Sequence, residues 1–296
     1  MSKDYFFDND GDFDALSLVK IAWEQKIPLI LLSCFTAIGA AFYTQFLDEK
    51  WIATTTLMPV EAAEAGPAGA GTSALVGLVG VSLGGASGVG NAQIAQELIV
   101  SRDFFKRMIE KDEQLLIDLV AIERFKNGEH VYNPELYDIN NKTWISKPDF
   151  FPAFRAYRRG VDLQYSWDMG GFIKISFAHK SPVFAARMLD TIIKEVNSLK
   201  KERDIQQADD QLVFLIEESR GTTNADLKRA ISGLMQNQLK SKMFATTRIF
   251  YIVEPMDSVY QPALRASPNK PLFVIVWSMI GFILGFLFFI IKRFID

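Results

Sequence analysis

The residues most able to do chemistry here are few: two histidines, one cysteine and a group of closely spaced glycines. His130 and His179 stand at no metal-ligand spacing from cysteine or carboxylate, so both read as surface or satisfied structural residues. Cys34 sits inside an apolar run, away from any aqueous nucleophile role, and a single cysteine forms no internal disulfide. The glycines between residues 64 and 91 invite comparison with a phosphate-binding loop. No Lys-Ser/Thr pair follows them, so the P-loop pattern is missing. Carboxylates such as Glu217-Glu218 lie on helical stretches, as solvated charged faces do. No catalytic centre, metal site or cofactor site is therefore expected. What remains is the chemistry of close packing. Gly281 and Gly285 form a Gly-x-x-x-Gly unit, and Ser33, Ala37 and Ala41 repeat the same small-residue spacing, which lets apolar helices approach closely or bind a membrane partner.

Both small-residue sets lie in uncharged apolar runs. Residues 27–46 and 271–291 each have about the 20 residues that a helix needs to cross a hydrocarbon core. Buried helices of a soluble core are the alternative, disfavoured because uncharged runs of this length, one followed at once by Lys292 and Arg293, are rare there. A cleaved signal peptide is equally disfavoured, since 26 residues precede the first run and no small-residue cleavage site follows it. Two crossings put both ends on one side. Lys20, Lys26, Lys292 and Arg293 against Lys50, Arg265 and Lys270 favour a cytoplasmic placement of the ends. The expected organisation is a tail at 1–26, a crossing at 27–46, an external domain at 47–270, a crossing at 271–291 and a tail at 292–296. Tails of that size hold no output domain, which disfavours a receptor kinase or sensor.

The 296 residues are 49% hydrophobic, enough for a real core, and wholesale disorder is excluded. A net charge of −3 gives no general attraction to nucleic acid. The acidic head, with Asp4, Asp8, Asp10, Asp12 and Asp14, reads as a solvated tail.

Within the external domain, residues 51–60 are rich in β-branched and aromatic types and predict a strand. The Gly/Ala-rich stretch 64–91 reads as a loop whose Leu75, Val76, Leu78 and Val79 dock on a neighbouring surface. Apolar spacing of three to four predicts one helix over 91–123, closed by Asn127-Gly128. Lys147-Pro148-Asp149 opens a short helix. Val161, Leu163, Tyr165 and Trp167 alternate with polar residues, as do Ile173, Ile175 and Phe177, with Met169-Gly170-Gly171 between them: a hairpin with one buried face. Ser181 caps and Pro182 opens the longest periodic stretch. As one helix, 181–220 would span about 60 Å, too long for a compact domain of this size. The arm 181–245 is either one rod or a helical hairpin. Its stripe, including Leu199, Leu212, Leu215, Ile231 and Leu234, predicts association with copies of the same chain. Residues 248–255 predict a last strand, and Pro262, Pro268 and Pro271 stiffen the return to the second apolar run. The expected fold is α+β: two transmembrane helices flanking a domain with a small mixed sheet and the arm.

Taken in order, these features resemble the polysaccharide co-polymerases, the Wzz-type chain-length determinants. The likeness is carried by Asp14-Ala15-Leu16-Ser17-Leu18 through Trp23, by the Gly-rich 75–85 segment and by Ala95 to Phe105 with Ser101-Arg102-Asp103-Phe104. It is carried furthest by Pro262, Ser267-Pro268-Asn269-Lys270-Pro271, Gly281 and Gly285. The resemblance implies an inner-membrane protein with both termini cytoplasmic, a periplasmic α/β base and a long helix pointing away from the membrane. It further implies a ring-like homo-oligomer that sets the length of O-antigen or a related lipid-linked polysaccharide with a Wzy-type polymerase, without catalysing polymerisation or binding nucleic acid. Two departures stand out: the kinase domain of some relatives is not found after the second crossing, and the arm is shorter than in many members. A two-crossing envelope adaptor in an export complex is the alternative; a membrane-anchored enzyme, which would need one deep pocket of convergent carboxylates, is a third.

Overall fold

The computed structural model describes Trp23 and residues 25–60, 90–126, 128–166 and 172–295. The acidic head, the Gly/Ala-rich stretch up to residue 89, Asn127 and residues 167–171, with Trp167 and the Met169-Gly170-Gly171 expected between two strands, lie outside the described residues. Two compact units result: residues 1–50 with 265–296, and residues 51–264.

The first unit opens with α1 (Lys26–Tyr43), whose C-terminal Thr44 donates its N–H to Ala40 O. The larger unit then begins at β1 (Trp51–Pro59), where Ala53, Thr55 and Leu57 face inward in the period of a pleated strand.

Three helices follow: α2 (Asn91–Val100), α3 (Arg102–Lys111) and α4 (Glu113–Ala121). This corrects the single helix expected over 91–123. Ser101 and Asp112 both adopt extended backbone, and their side chains accept the N–H of Phe104 and Gln114. Such local bonds give the chain an alternative to continuing the helix. The apolar spacing survives the breaks because each short helix buries a face in the same core. From Ile122 the chain runs as a strand, so Gly128 (φ +88°) closes a β-hairpin rather than a helix, between β2 (Ile122–Lys126) and β3 (Glu129–Tyr132). The small pair β4 (Tyr137–Asp138) and β5 (Thr143–Trp144) precedes α5 (Phe150–Gly160), whose N-cap is Asp149.

The hairpin expected next is formed by β6 (Val161–Ser166) and β7 (Phe172–His179), with Ile173, Ile175 and Phe177 buried. Gly160 lies against the Phe177 ring so closely that a Cβ would come within 2.8 Å of it. The central sheet has the order β6–β7–β1–β8, where β8 is Val253–Pro255. Every pairing is antiparallel, with Trp51 opposite His179 and Leu57 opposite Ile173 and Pro255, so a mixed sheet is not what forms. Hairpins and a returning chain supply the neighbours, and no parallel crossover is needed.

One core unites this sheet with the helices. Phe104, Phe105, Met108, Leu115, Tyr157, Phe184, Met188, Leu189, Ile192 and Val196 are all buried in it. The last five of these, from Phe184 on, belong to the N-terminal part of α6 (Pro182–Gly221), which Ser181 caps by accepting the Phe184 N–H. Beyond Leu199 the helix leaves the core. It turns at residues 222–224 and returns as α7 (Ala225–Thr247), capped by Asn224. Of the two arm geometries, the hairpin is the one formed.

The expected strand at 248–255 shrinks to three residues. Asn197 on α6 accepts the backbone N–H groups of Tyr251, Ile252 and Val253 at 2.8, 2.9 and 3.2 Å, taking bonds that a longer ladder would use.

The chain re-enters the first unit at Arg265. Lys50 and Ser267 form an isolated antiparallel bridge, and Glu49 pairs with Arg265 and Lys270. The unit ends with α8 (Lys270–Ile295), packed antiparallel to α1. Both helices have the length and apolarity to cross a membrane.

Candidate functional site

The residues singled out by sequence fall in three places, and the first is the α1–α8 seam. Ser33 Oγ lies 2.8 Å from Ser278 Oγ and donates to Ser278 O at 3.0 Å. Gly281 is buried against Thr36, and Gly285 against Leu29 and Leu32, each so closely that a Cβ at either glycine would collide. Ala37 is half-buried and Ala41 is exposed; Ala40 and Thr44 carry the seam onward instead. The seam residues Leu29, Ser33, Thr36, Ala40 and Thr44 recur at three and four, a finer signal than spacing by four alone. Thr36 and Thr44 satisfy their hydroxyls on Ser33 O and Ala41 O, so neither leaves an unpaired donor in apolar surroundings.

The three linker prolines are not brought together. Pro262 belongs to the larger unit, Pro268 follows a cis peptide bond after Ser267, and Pro271 occupies the first turn of α8. Proline suits that position because the first helical N–H groups have no intrahelical partner.

The third place is the arm. Leu199, Ala208, Ile231, Gln238 and Ala245 are buried where α6 and α7 meet, while Leu212, Leu215 and Leu234 are half-buried along the same seam. The greasy stripe predicted to need sister copies is thus largely covered by the chain's own return leg. Lys242 pairs with Asp209 at 2.5 Å across the legs. What stays exposed is a different set: Val213, Phe214, Leu239 and Met243, each more than half exposed.

Sequence reasoning missed the groups that set the arm on its base. Asn197 is buried, accepts the three N–H groups already named, and donates Nδ2 to Ile193 O and Val253 O. Lys201 donates to Thr246 O and Arg248 O, satisfying carbonyls at the end of α7. Glu195, buried on α6, accepts from Arg107 and from Lys111 at 2.7 Å, and Arg107 also reaches Glu202 at 2.6 Å. That guanidinium holds the Glu202 carboxyl below its ordinary range. Lone polar letters on an apolar stripe were the available signal for Asn197 and Glu195.

The histidines join one polar chain. His130 Nε2 lies 2.8 Å from Ser181 Oγ, while His179 Nδ1 accepts the Ser181 N–H and its Nε2–H donates to Leu119 O. Burial pushes the His179 pKa down to about 4. Tyr132 donates to the buried Asp118 at 2.8 Å, and burial followed by that carboxylate raises its phenol above the usual range. Ser181 is completely buried and committed to its helix cap, so the pair with His130 offers substrate no nucleophile. A shallow hollow of about 510 Å³ beside it is lined by His130, Tyr132, Tyr137, Asp138 and Asn140, with Val131, Ile139 and Ile145 exposed around it. No group of three metal-ligating side chains converges among the described residues. Gly80-Val81-Ser82-Leu83-Gly84 has the letters of a nucleophile elbow that the sequence reading passed over, and it lies outside the described residues.

Residues 11–111 match the family model of Wzz, chain length determinant protein, about a third of the chain. No curated protein matches. Among solved structures, the chain is similar to one described as a full-length bacterial polysaccharide co-polymerase, at 13% identity and a TM-score of 0.38, over 95% of this chain and 97% of that one.

Proposed function

We propose that this chain, similar over residues 11–111 to the Wzz chain length determinants, sets the length of O-antigen or a related lipid-linked polysaccharide and does not polymerise it. It acts in the bacterial inner membrane with both termini in the cytoplasm and residues 47–270 in the periplasm. Several copies assemble around a common axis and work with a Wzy-type polymerase, presenting a surface that holds enzyme or growing glycan for a limited number of additions. The match to the chain-length determinants carries this reading. It is supported by two helices of crossing length at the ends of the described chain, and by the exposed apolar set on the arm, which offers neighbouring copies a contact.

Deleting the gene and separating the cell's polysaccharide on a gel tests it. The expected result is polymer without its modal band. Complete loss of polymer would instead support the export-adaptor or synthetic readings, and an unchanged modal band would overturn the proposal.

A further inference from the structure

We infer that the exposed Phe151 ring on α5, with the Arg102 guanidinium over it and Arg155 one turn further along the helix, is a saccharide-stacking platform for a glycan chain. The inference rests on the polysaccharide reading for the class of its ligand. The site itself stands on the geometry of one unit.

Phe151 lies in the first turn of α5 and is 60% exposed. That ring is held in place nonetheless. Phe150 meets it edge-on, 5.7 Å between centroids and 76° between planes, and the Arg102 guanidinium lies over it at 5.7 Å. An oriented, exposed aromatic face is what the apolar C–H face of a pyranose stacks on, and it needs no enclosed cavity. Arg102 is the first residue of α3, where a cation opposes the helix dipole, so helix stability does not account for it. On α5, residues 151, 155 and 158 fall within about 60° of arc at 3.6 residues per turn. Arg155 and Arg158 are exposed on that face, with Arg159 at its edge. Among the described residues, none of Arg102, Arg155, Arg158 and Arg159 is ion-paired.

Acidic groups occur beside these cations: Asp103 follows Arg102 in α3, and Glu97 and Asp162 line a shallow depression with Arg158. Cations and carboxylates thus stand side by side at Arg158. A polyanion or an anionic bilayer gains little from such a mixture. Sugar hydroxyls, which both donate and accept, find guanidinium donors and carboxylate acceptors together.

The test uses the full chain in detergent and the host polysaccharide released from its lipid carrier by mild acid, with calorimetry as the readout. Phe151→Ala is expected to bind about tenfold more weakly, and Arg155→Ala several-fold, with melting temperatures unchanged because both side chains are exposed. Equal binding by Phe151→Ala and the parent overturns the inference. So does tighter capture of polyphosphate or of anionic-lipid vesicles than of glycan, with the same variants affected. A parent that binds no glycan also overturns it; if gene deletion still removes the modal band, the length-control reading survives that result, and if the band persists both fail.

Discussion

A single amide, Asn197, decides where the arm leaves the base, because five hydrogen bonds converge on it. Asn197→Ala strips partners from three N–H groups, two of them in buried residues, and is expected to destabilise the larger unit by about 3 kcal/mol, read as a lower denaturation midpoint. Asn197→Asp keeps the acceptor and should lose less. His179 sets a pH response at the same scale. Its folded pKa of about 4 lies below the ordinary 6.5, so the unfolded chain binds the extra proton between those values. Stability from keeping this ring neutral is complete above pH 6.5 and is lost as pH falls toward 4, at about 1 kcal/mol per pH unit. Comparing melting curves of the parent and His179→Asn from pH 7 to 4.5 checks this: the variant's profile should be flatter. Asn197 showed in the sequence only as a lone polar letter on an apolar stripe, and His179 not at all, since a histidine ending a strand looks the same whether buried or solvated.

At the level of elements, the α1–α8 pair depends on two glycines too tightly packed to accept a larger side chain. With Cys34 replaced by Ala, a Ser33→Cys/Ser278→Cys pair is expected to cross-link on oxidation, given the 2.8 Å between the hydroxyl oxygens. Adding Gly281→Leu and Gly285→Leu should abolish that cross-link by pushing Thr36 and Leu32 away. The Gly-x-x-x-Gly spacing was readable from sequence, and so were the Ser181–Pro182 start of α6 and the alternation of β6 and β7, because each is a local rule with a strong periodic signature. The α2–α3–α4 breaks were not. Ser101 and Asp112 are ordinary helix-surface letters until their side chains turn onto the following backbone, and the apolar period runs straight through them. The missing ladder at 248–252 has a different cause: its bonds go to a residue more than fifty positions away, which no local pattern contains.

For the whole molecule, the arm's exposed apolar set and the proposed assembly make one joint prediction. Val213→Asp with Phe214→Asp leaves the internal α6–α7 seam untouched, so secondary structure and melting should hold. The mass of the detergent-solubilised particle should fall toward that of a lone copy, and the modal band should broaden. An unchanged mass would place the contacts between copies elsewhere than on the arm.

The return leg that seals the α6–α7 stripe also frees the protrusion's reach from the rest of the architecture. Removing residues 214–220 and 225–231 together takes two turns from each leg, about 10 Å, and keeps Asp209 facing Lys242. Such a chain should fold normally and carry a shorter arm on the same base. Arm length then becomes a quantity that insertions and deletions can tune in steps of a heptad, with the sheet and the α1–α8 pair left as they are.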